Sequence, residues 1–132
     1  MIRSLFLFLV AISPIYRSIG LQADIIDDLS SHFRSGNSKE IAKNFAPTIE
    51  LIIIDEEDVY SKAQGEQILK DFFSKHQPTK TSIFHRINNS QNYRFGVIML
   101  STSKESFRVS VTMKKFNNVF LITELRIEPS KD

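Results

Sequence analysis

Phe107-Arg108-Val109-Ser110-Val111-Thr112-Met113-Lys114 is the stretch on which the fold turns. Apolar and polar residues alternate one for one, the pattern of a strand with one face buried and one face wet. The same period of two governs everything after Pro78. Lys80 to Asn88 sets Ile83, His85 and Ile87 against Phe84 and Arg86. Tyr93 to Thr102 is a strand. Val119 to Ile127 sets Val119, Leu121, Thr123, Leu125 and Ile127 against Phe120, Ile122, Glu124 and Arg126. Short polar stretches separate the four: Asn88 to Asn92, Ser103-Lys104-Glu105 and Asn117-Asn118. Strands joined this closely form an antiparallel meander.

Upstream of Pro78 the period is helical. Asp24 to Arg34 carries Ile25, Ile26, Leu29 and Phe33 on one stripe, with Asp24, Asp27 and Asp28 at the end where the helix dipole favours carboxylates. Gly36 suits a C-cap. Asn37 with Glu40 opens a short second helix, which Pro47 closes. Thr48 to Ile54 is a β-branched strand, Asp55-Glu56-Glu57-Asp58 a polar turn, and Val59-Tyr60-Ser61 the start of the return strand. Ser61 and Gln64 form a capping box for a third helix over Lys62 to His76, with Ile68, Leu69, Phe72 and Phe73 as its buried stripe. The expected class is α+β, in the order α-α-β-β-α-β-β-β-β, with a curved antiparallel sheet.

Two passages carry a family resemblance. Residues 33–47, FRSGNSKEIAKNFAP, and residues 60–73, YSKAQGEQILKDFF, resemble the opening and the strand-to-third-helix passage of the nuclear transport factor 2-like superfamily, also called cystatin-like or ketosteroid-isomerase-like. The likeness covers roughly residues 22–128. Within that superfamily the chain is most similar to small exported bacterial proteins of unknown function, through residues 55–64 and Leu125-Arg126-Ile127-Glu128. The resemblance implies a cone-shaped sheet with three helices on its concave face and a pocket opening between them. It also implies pairing of two chains through the convex surface. It implies no single reaction, because isomerases, dehydratases, transport factors and non-catalytic binders share the fold.

The first twenty residues stand apart. Arg3 precedes an unbroken apolar run from Leu5 to Ile12, Ser13-Pro14 breaks it, and small residues at Ser18 and Gly20 suit cleavage before Leu21, with Ala23 as a second candidate. This is the layout of a signal peptide. The run is too short to span a bilayer, which needs about 20 residues. Residues 1–20 are therefore expected to be a leader and 21–132 one domain, exported to the periplasm or beyond. No stable membrane insertion is expected once the leader is gone. Loss of Arg3 and Arg17 from the 17 basic residues matches them to the 15 acidic ones. A balanced charge removes the basic excess that nucleic-acid binding requires. The absence of cysteine removes disulfides, thiolate metal sites and a cysteine nucleophile.

Candidate site residues follow from assigning faces. Tyr93, Phe95, Val97 and Met99 are assigned to the inner face with Phe107, Val109, Val111 and Met113 and with Val119, Leu121, Thr123 and Leu125, so that no carboxylate enters the pocket. The pocket is expected to be lined by Phe45, Tyr60, Phe72, His85, Tyr93 and Met99. His85 as base and Tyr60 as hydrogen-bond donor are the weak catalytic candidates, the pair an isomerase or dehydratase would need. Otherwise His85 is a bonded structural residue and Tyr60 a packed aromatic. His32 and His76 fall at helix ends, where histidine is electrostatically favoured. Ile98, Leu100, Phe120 and Ile122 are assigned to the outer face as a homodimer contact. The acidic residues 55–58 could offer oxygens to calcium but lack a binding loop's spacing and glycine, so they read as solvated. Asn88-Asn89-Ser90 fits a glycosylation acceptor and reads as a turn. The expected function is a non-catalytic exported domain without metal or cofactor. It would bind a small apolar ligand or an envelope protein through pocket or sheet.

Overall fold

The computed structural model describes residues 24–131. The leader and both cleavage candidates lie outside the described residues. Helix α1 spans Ile25–Arg34, α2 Ser38–Ala42 and α3 Lys62–Lys75. The strands are β1 Phe45–Ile53, β2 Glu56–Ser61, β3 Pro78–Ile87, β4 Tyr93–Thr102, β5 Ser106–Phe116 and β6 Val119–Pro129. The order is the expected one, and so is the capping chemistry. The Asp24 carboxylate accepts from the Ile26 amide at 3.2 Å. Asn37 accepts from the Glu40 amide at 3.2 Å. In the capping box of α3, the Gln64 amide donates to Ser61 Oγ at 3.2 Å and the Ser61 amide to Gln64 Oε1 at 3.1 Å. Gly36 turns the chain between α1 and α2 at φ 65°, a conformation that costs glycine little.

The six strands form one sheet in the order β2-β1-β6-β5-β4-β3. Four neighbouring pairs are antiparallel, and β1 with β6 is parallel. The sheet is thus antiparallel, as expected, except at this one parallel pair. Its cause is α3, which carries the chain back so that β3 runs in the direction of β2. Three further reversals then leave β6 running with β1.

One core holds the molecule together. Ile26, Leu29 and Phe33 of α1, Ile41 of α2 and Leu69 of α3 are fully buried against Ile98, Leu100, Phe107, Val109, Val111, Met113, Ile122, Leu125 and Ile127 of the sheet. At about 25 cal/mol per Å² of apolar area, this burial is the main source of stability. The closest approach is at Gly96. A Cβ there would lie 2.8 Å from Ile26 Cδ1, so α1 rests on bare backbone.

Three local readings change. The acidic run is not a turn: Glu56 to Ser61 are ladder partners of Ile53 to Thr48, and only Ile54 and Asp55 turn the chain. An exposed edge strand rich in carboxylates looks like a loop in sequence, and such charge discourages pairing with other chains. Pro47 does not end an element but lies inside β1, at the register shift between Phe45 and Glu50, where its missing N–H breaks no regular ladder. Most consequentially, the faces of β4 are reversed. Ile98 pairs with Val109 and Leu100 with Phe107, which puts them inside, and Val97 and Met99 pair with Ser110 and Arg108 outside.

Candidate functional site

The interior between sheet and helices is filled. Phe33 meets Phe73 edge-on at 5.8 Å, Phe73 meets Phe72 at 5.7 Å, and Phe72 meets Phe107 at 5.2 Å. Phe45 lies against α3 at Gly65, where a Cβ would sit 3.1 Å from its ring. Phe45 and Phe72, expected to line a pocket, are core fillers at 1% and 4% exposure. The only buried polar side chains among the described residues are Ser30 and Ser38, so no carboxylate enters the interior. Ser30 Oγ donates to Thr81 Oγ1 at 2.9 Å, and Thr81 Oγ1 donates on to the Ser30 carbonyl at 3.1 Å, which ties α1 to β3.

The two catalytic candidates are separated. Tyr60 pairs with Ile49 and packs against the core from the inner face of β2. His85 pairs with Val97 on the outer face of β3, where its exposed ring meets Phe95 edge-on at 6.4 Å. They occupy opposite faces at opposite edges of one sheet and cannot act on one substrate. A bulge between Ile83 and His85 turns His85 outward after Ile83 has pointed in. Tyr93 and Met99 share that outer face and line no interior pocket.

The expected dimer contacts are also misplaced. Ile98, Leu100 and Ile122 have no exposed surface, and Phe120 packs against the core. Phe120 is held by cations, with the Arg94 guanidinium 4.2 Å and the Lys115 ammonium 5.7 Å from its ring centre. The register break between Thr112 and Met113 inverts the end of β6, so Ile122 joins Leu125 and Ile127 inside.

The outer face presents other groups. Phe84 is 66% exposed beside Ile87, and the Arg108 guanidinium stands 5.5 Å over the Phe84 ring. Val59, Phe116 and Val119 form a second exposed apolar group. Near it, Pro47, Glu50, Val59, Phe116 and Thr123 line an open groove of about 350 Å³. Between the two groups runs a charged row in which Arg126 sits 3.6 Å from Glu124 and 3.5 Å from Glu128. A hydrogen bond shared with Glu57, then partial desolvation and the charge of Glu124, push the Glu50 carboxyl above its usual value. Sequence reasoning missed this acidic group because Glu50, Glu57 and Glu124 come from three strands that only the sheet brings together.

Other depressions border α3. Tyr60, Ala63, Gln64, Gln67 and Ile68 line a shallow, mostly apolar groove of about 410 Å³ along α3. At the far end of α3 a cleft of about 190 Å³ lies between Ile53, Ile54 and Asp55 on one side and Ile68, Phe72 and His76 on the other. Near the start of α1, Arg86 donates to Asp24 at 3.0 Å and to both oxygens of Asp27 at 3.0 and 3.1 Å. Burial opposes charge on Asp24. Hydrogen bonds from Asn88, the Ile26 amide and Arg86 outweigh it and hold the carboxyl below its ordinary value. The Arg86 hydrogen bonds do the same for Asp27. This cluster fastens β3 to α1. Among the described residues no three acidic or histidine side chains are placed to hold a metal ion. No helix among them is long and apolar enough to cross a membrane.

Known proteins agree with this geometry. A crystal structure of a DUF4783 family protein from Bacteroides uniformis superposes with a TM-score of 0.78 at 25% identity, covering 83% of this chain and 100% of that one. One from Bacteroides ovatus gives 0.74 at 23% identity, covering 79% and 94%. A domain of unknown function with a cystatin-like fold from Nostoc punctiforme gives 0.64 at 9% identity over 81% and 74%, a likeness of fold alone. No curated protein matches the chain. The family model described as "Domain of unknown function (DUF4783)" matches residues 26–128. A match of that extent means that this protein belongs to the DUF4783 family.

Proposed function

We propose that this protein is an exported, non-catalytic binding domain that works through the outer face of its sheet, where it meets a protein partner, first of all a second copy of itself. The observation that carries this reading is the contrast between a hollow closed by packed phenylalanines and an outer face that leaves Phe84 two-thirds exposed. Exposed aromatic side chains flanked by arginine are typical anchors of protein interfaces. The charge pattern favours self-association. The acidic Glu50 and Glu57 lie toward one edge of the face, and the basic Arg108 and Lys80 toward the other. A two-fold axis through the face would set each group against its opposite.

Sedimentation of the mature chain at micromolar concentration tests this. A dimer that falls apart in Phe84→Glu, with unchanged circular dichroism, is the expected result. A wild-type chain that stays monomeric overturns the self-association reading. Capture of an envelope protein that depends on Phe84 would then support the heterologous partner instead. Export rests on the leader pattern of residues 1–20. N-terminal sequencing of protein from a bacterial periplasmic fraction should begin at or shortly after Leu21.

A second reading has one observation in its favour. The groove beside Tyr60 is apolar and of a size that takes small ligands. A fluorescent apolar probe displaced by Gln67→Trp but not by Phe84→Glu would support a small apolar ligand there.

A further inference from the structure

His76 holds the only buried side-chain polar atom without a hydrogen-bond partner among the described residues, its Nδ1. Such an atom calls for a physical account. The ring is fixed on both sides. It stacks on Phe72 at 4.7 Å and 29°, and it meets Phe107 edge-on at 5.1 Å. Its own backbone amide donates to the Phe72 carbonyl at 2.8 Å as the C-cap of α3. These contacts hold the ring in place at the end of α3. Its Nδ1 lies 3.6 Å from Glu105 Oε1, too far for a hydrogen bond and near enough for an ion pair.

Glu105 is equally fixed at its backbone. Its carbonyl accepts from the Thr102 amide at 2.9 Å and from Thr102 Oγ1 at 2.7 Å, and its amide donates to Thr102 Oγ1 at 3.1 Å. The turn that carries it touches the residue after His76, with the Ser103 amide donating to the Gln77 carbonyl at 3.2 Å. Two rigid elements, the end of α3 and the β4–β5 turn, thus face each other across one unfilled hydrogen bond.

We propose that His76 and Glu105 form a pH-operated latch between the end of α3 and the β4–β5 turn. The imidazole takes one proton from solvent, both ring nitrogens then carry hydrogen, and Nδ1–H donates to the Glu105 carboxylate. A small shift of the turn closes the gap to the roughly 2.8 Å of a charge-assisted bond. Other charged and dipolar groups also face the ring. The carbonyls at the end of α3 carry partial negative charge. Asp55 approaches from the β1–β2 turn and Glu56 from the start of β2, Asp71 and Lys75 line the same cleft from α3, and Lys104 neighbours Glu105. Lys75 is engaged with Asp71 at 3.1 Å, which leaves the acids in excess. A group that gains its partner on protonation stabilises the fold at low pH, and that contribution fades as pH rises. The latch also fixes one wall of the 190 Å³ cleft that His76 lines.

The test is nuclear magnetic resonance of the mature chain together with urea unfolding between about pH 8 and pH 5.5, the range in which imidazoles change charge. The Glu105 carboxyl carbon should shift with the same midpoint as the His76 ring nitrogens. The urea midpoint should rise on acidification in the wild type, and less in Glu105→Gln. Glu105 is 46% exposed, so that variant keeps the fold even if His76→Gln does not. Glu50 also gains from protonation, but it is unchanged by the substitution and cancels in the comparison. A Glu105 carbon indifferent to His76, or a Glu105→Gln profile parallel to the wild type, overturns the latch.

Discussion

The two faces of the sheet are built from the same residue types and put to opposite uses. Inside, Ile98, Leu100, Phe107, Val109 and Val111 are fully buried beneath three helices. Outside, Phe84, Ile87, Phe116 and Val119 stand exposed among Arg108, Glu124 and Arg126. Hydrophobicity alone does not separate these sets. The difference lies in what covers them, and an exposed apolar surface calls for an external partner as a buried one does not.

The contrast can be broken most forcefully from inside. Phe72→Ala opens a void among Phe73, Phe107 and the His76 ring and is expected to cost about 3–5 kcal/mol in chemical unfolding. A loss below about 1 kcal/mol would mean that the interior is not close-packed. Arg86→Ala removes the cluster that fastens β3 to α1 and should cost about 1–2 kcal/mol, after allowance for its partial exposure. Because the Asp24 and Asp27 carboxyls are lowered in the folded state, their contribution is present above the ordinary carboxylate range and is lost as pH falls through their folded values. Wild type and variant should therefore converge in stability under acid and differ most near neutrality. Ile54 adopts φ 61° at the β1–β2 turn, a conformation that a β-branched residue pays for in strain. Ile54→Asn should stabilise by about 0.5 kcal/mol, small because half-exposed apolar contact is lost at the same time. The smallest effect sharpens the comparison. Phe84→Ser on the outer face should change stability by no more than about 0.5 kcal/mol. A larger loss would mean that Phe84 serves the monomer rather than a partner.

Element type and order were legible because they are local properties. The alternation of residues 107–114, the capping pair Ser61 and Gln64, and the stripe of Leu29 and Phe33 each sit within a few residues. Facing was not legible in β4, where both rows are apolar. The row Phe95, Val97 and Met99 reads as more hydrophobic than the row Arg94, Gly96, Ile98 and Leu100. The inner row nevertheless includes Gly96, since only a residue without a side chain admits Ile26 of α1. Nor was it legible across the bulges, because one extra residue reverses every side chain beyond it. His85 and Ile122 were both misassigned for that reason.

By itself, then, the sequence determined the number, kind and succession of elements, and with them a helix-backed curved sheet. Those features follow from periodicity and capping, which act over a few residues. Which side of each strand became interior, whether the hollow stayed open, and which charges met were settled only by tertiary structure. They depend on contacts between residues far apart in the chain, and no local pattern encodes where a bulge will turn a strand over.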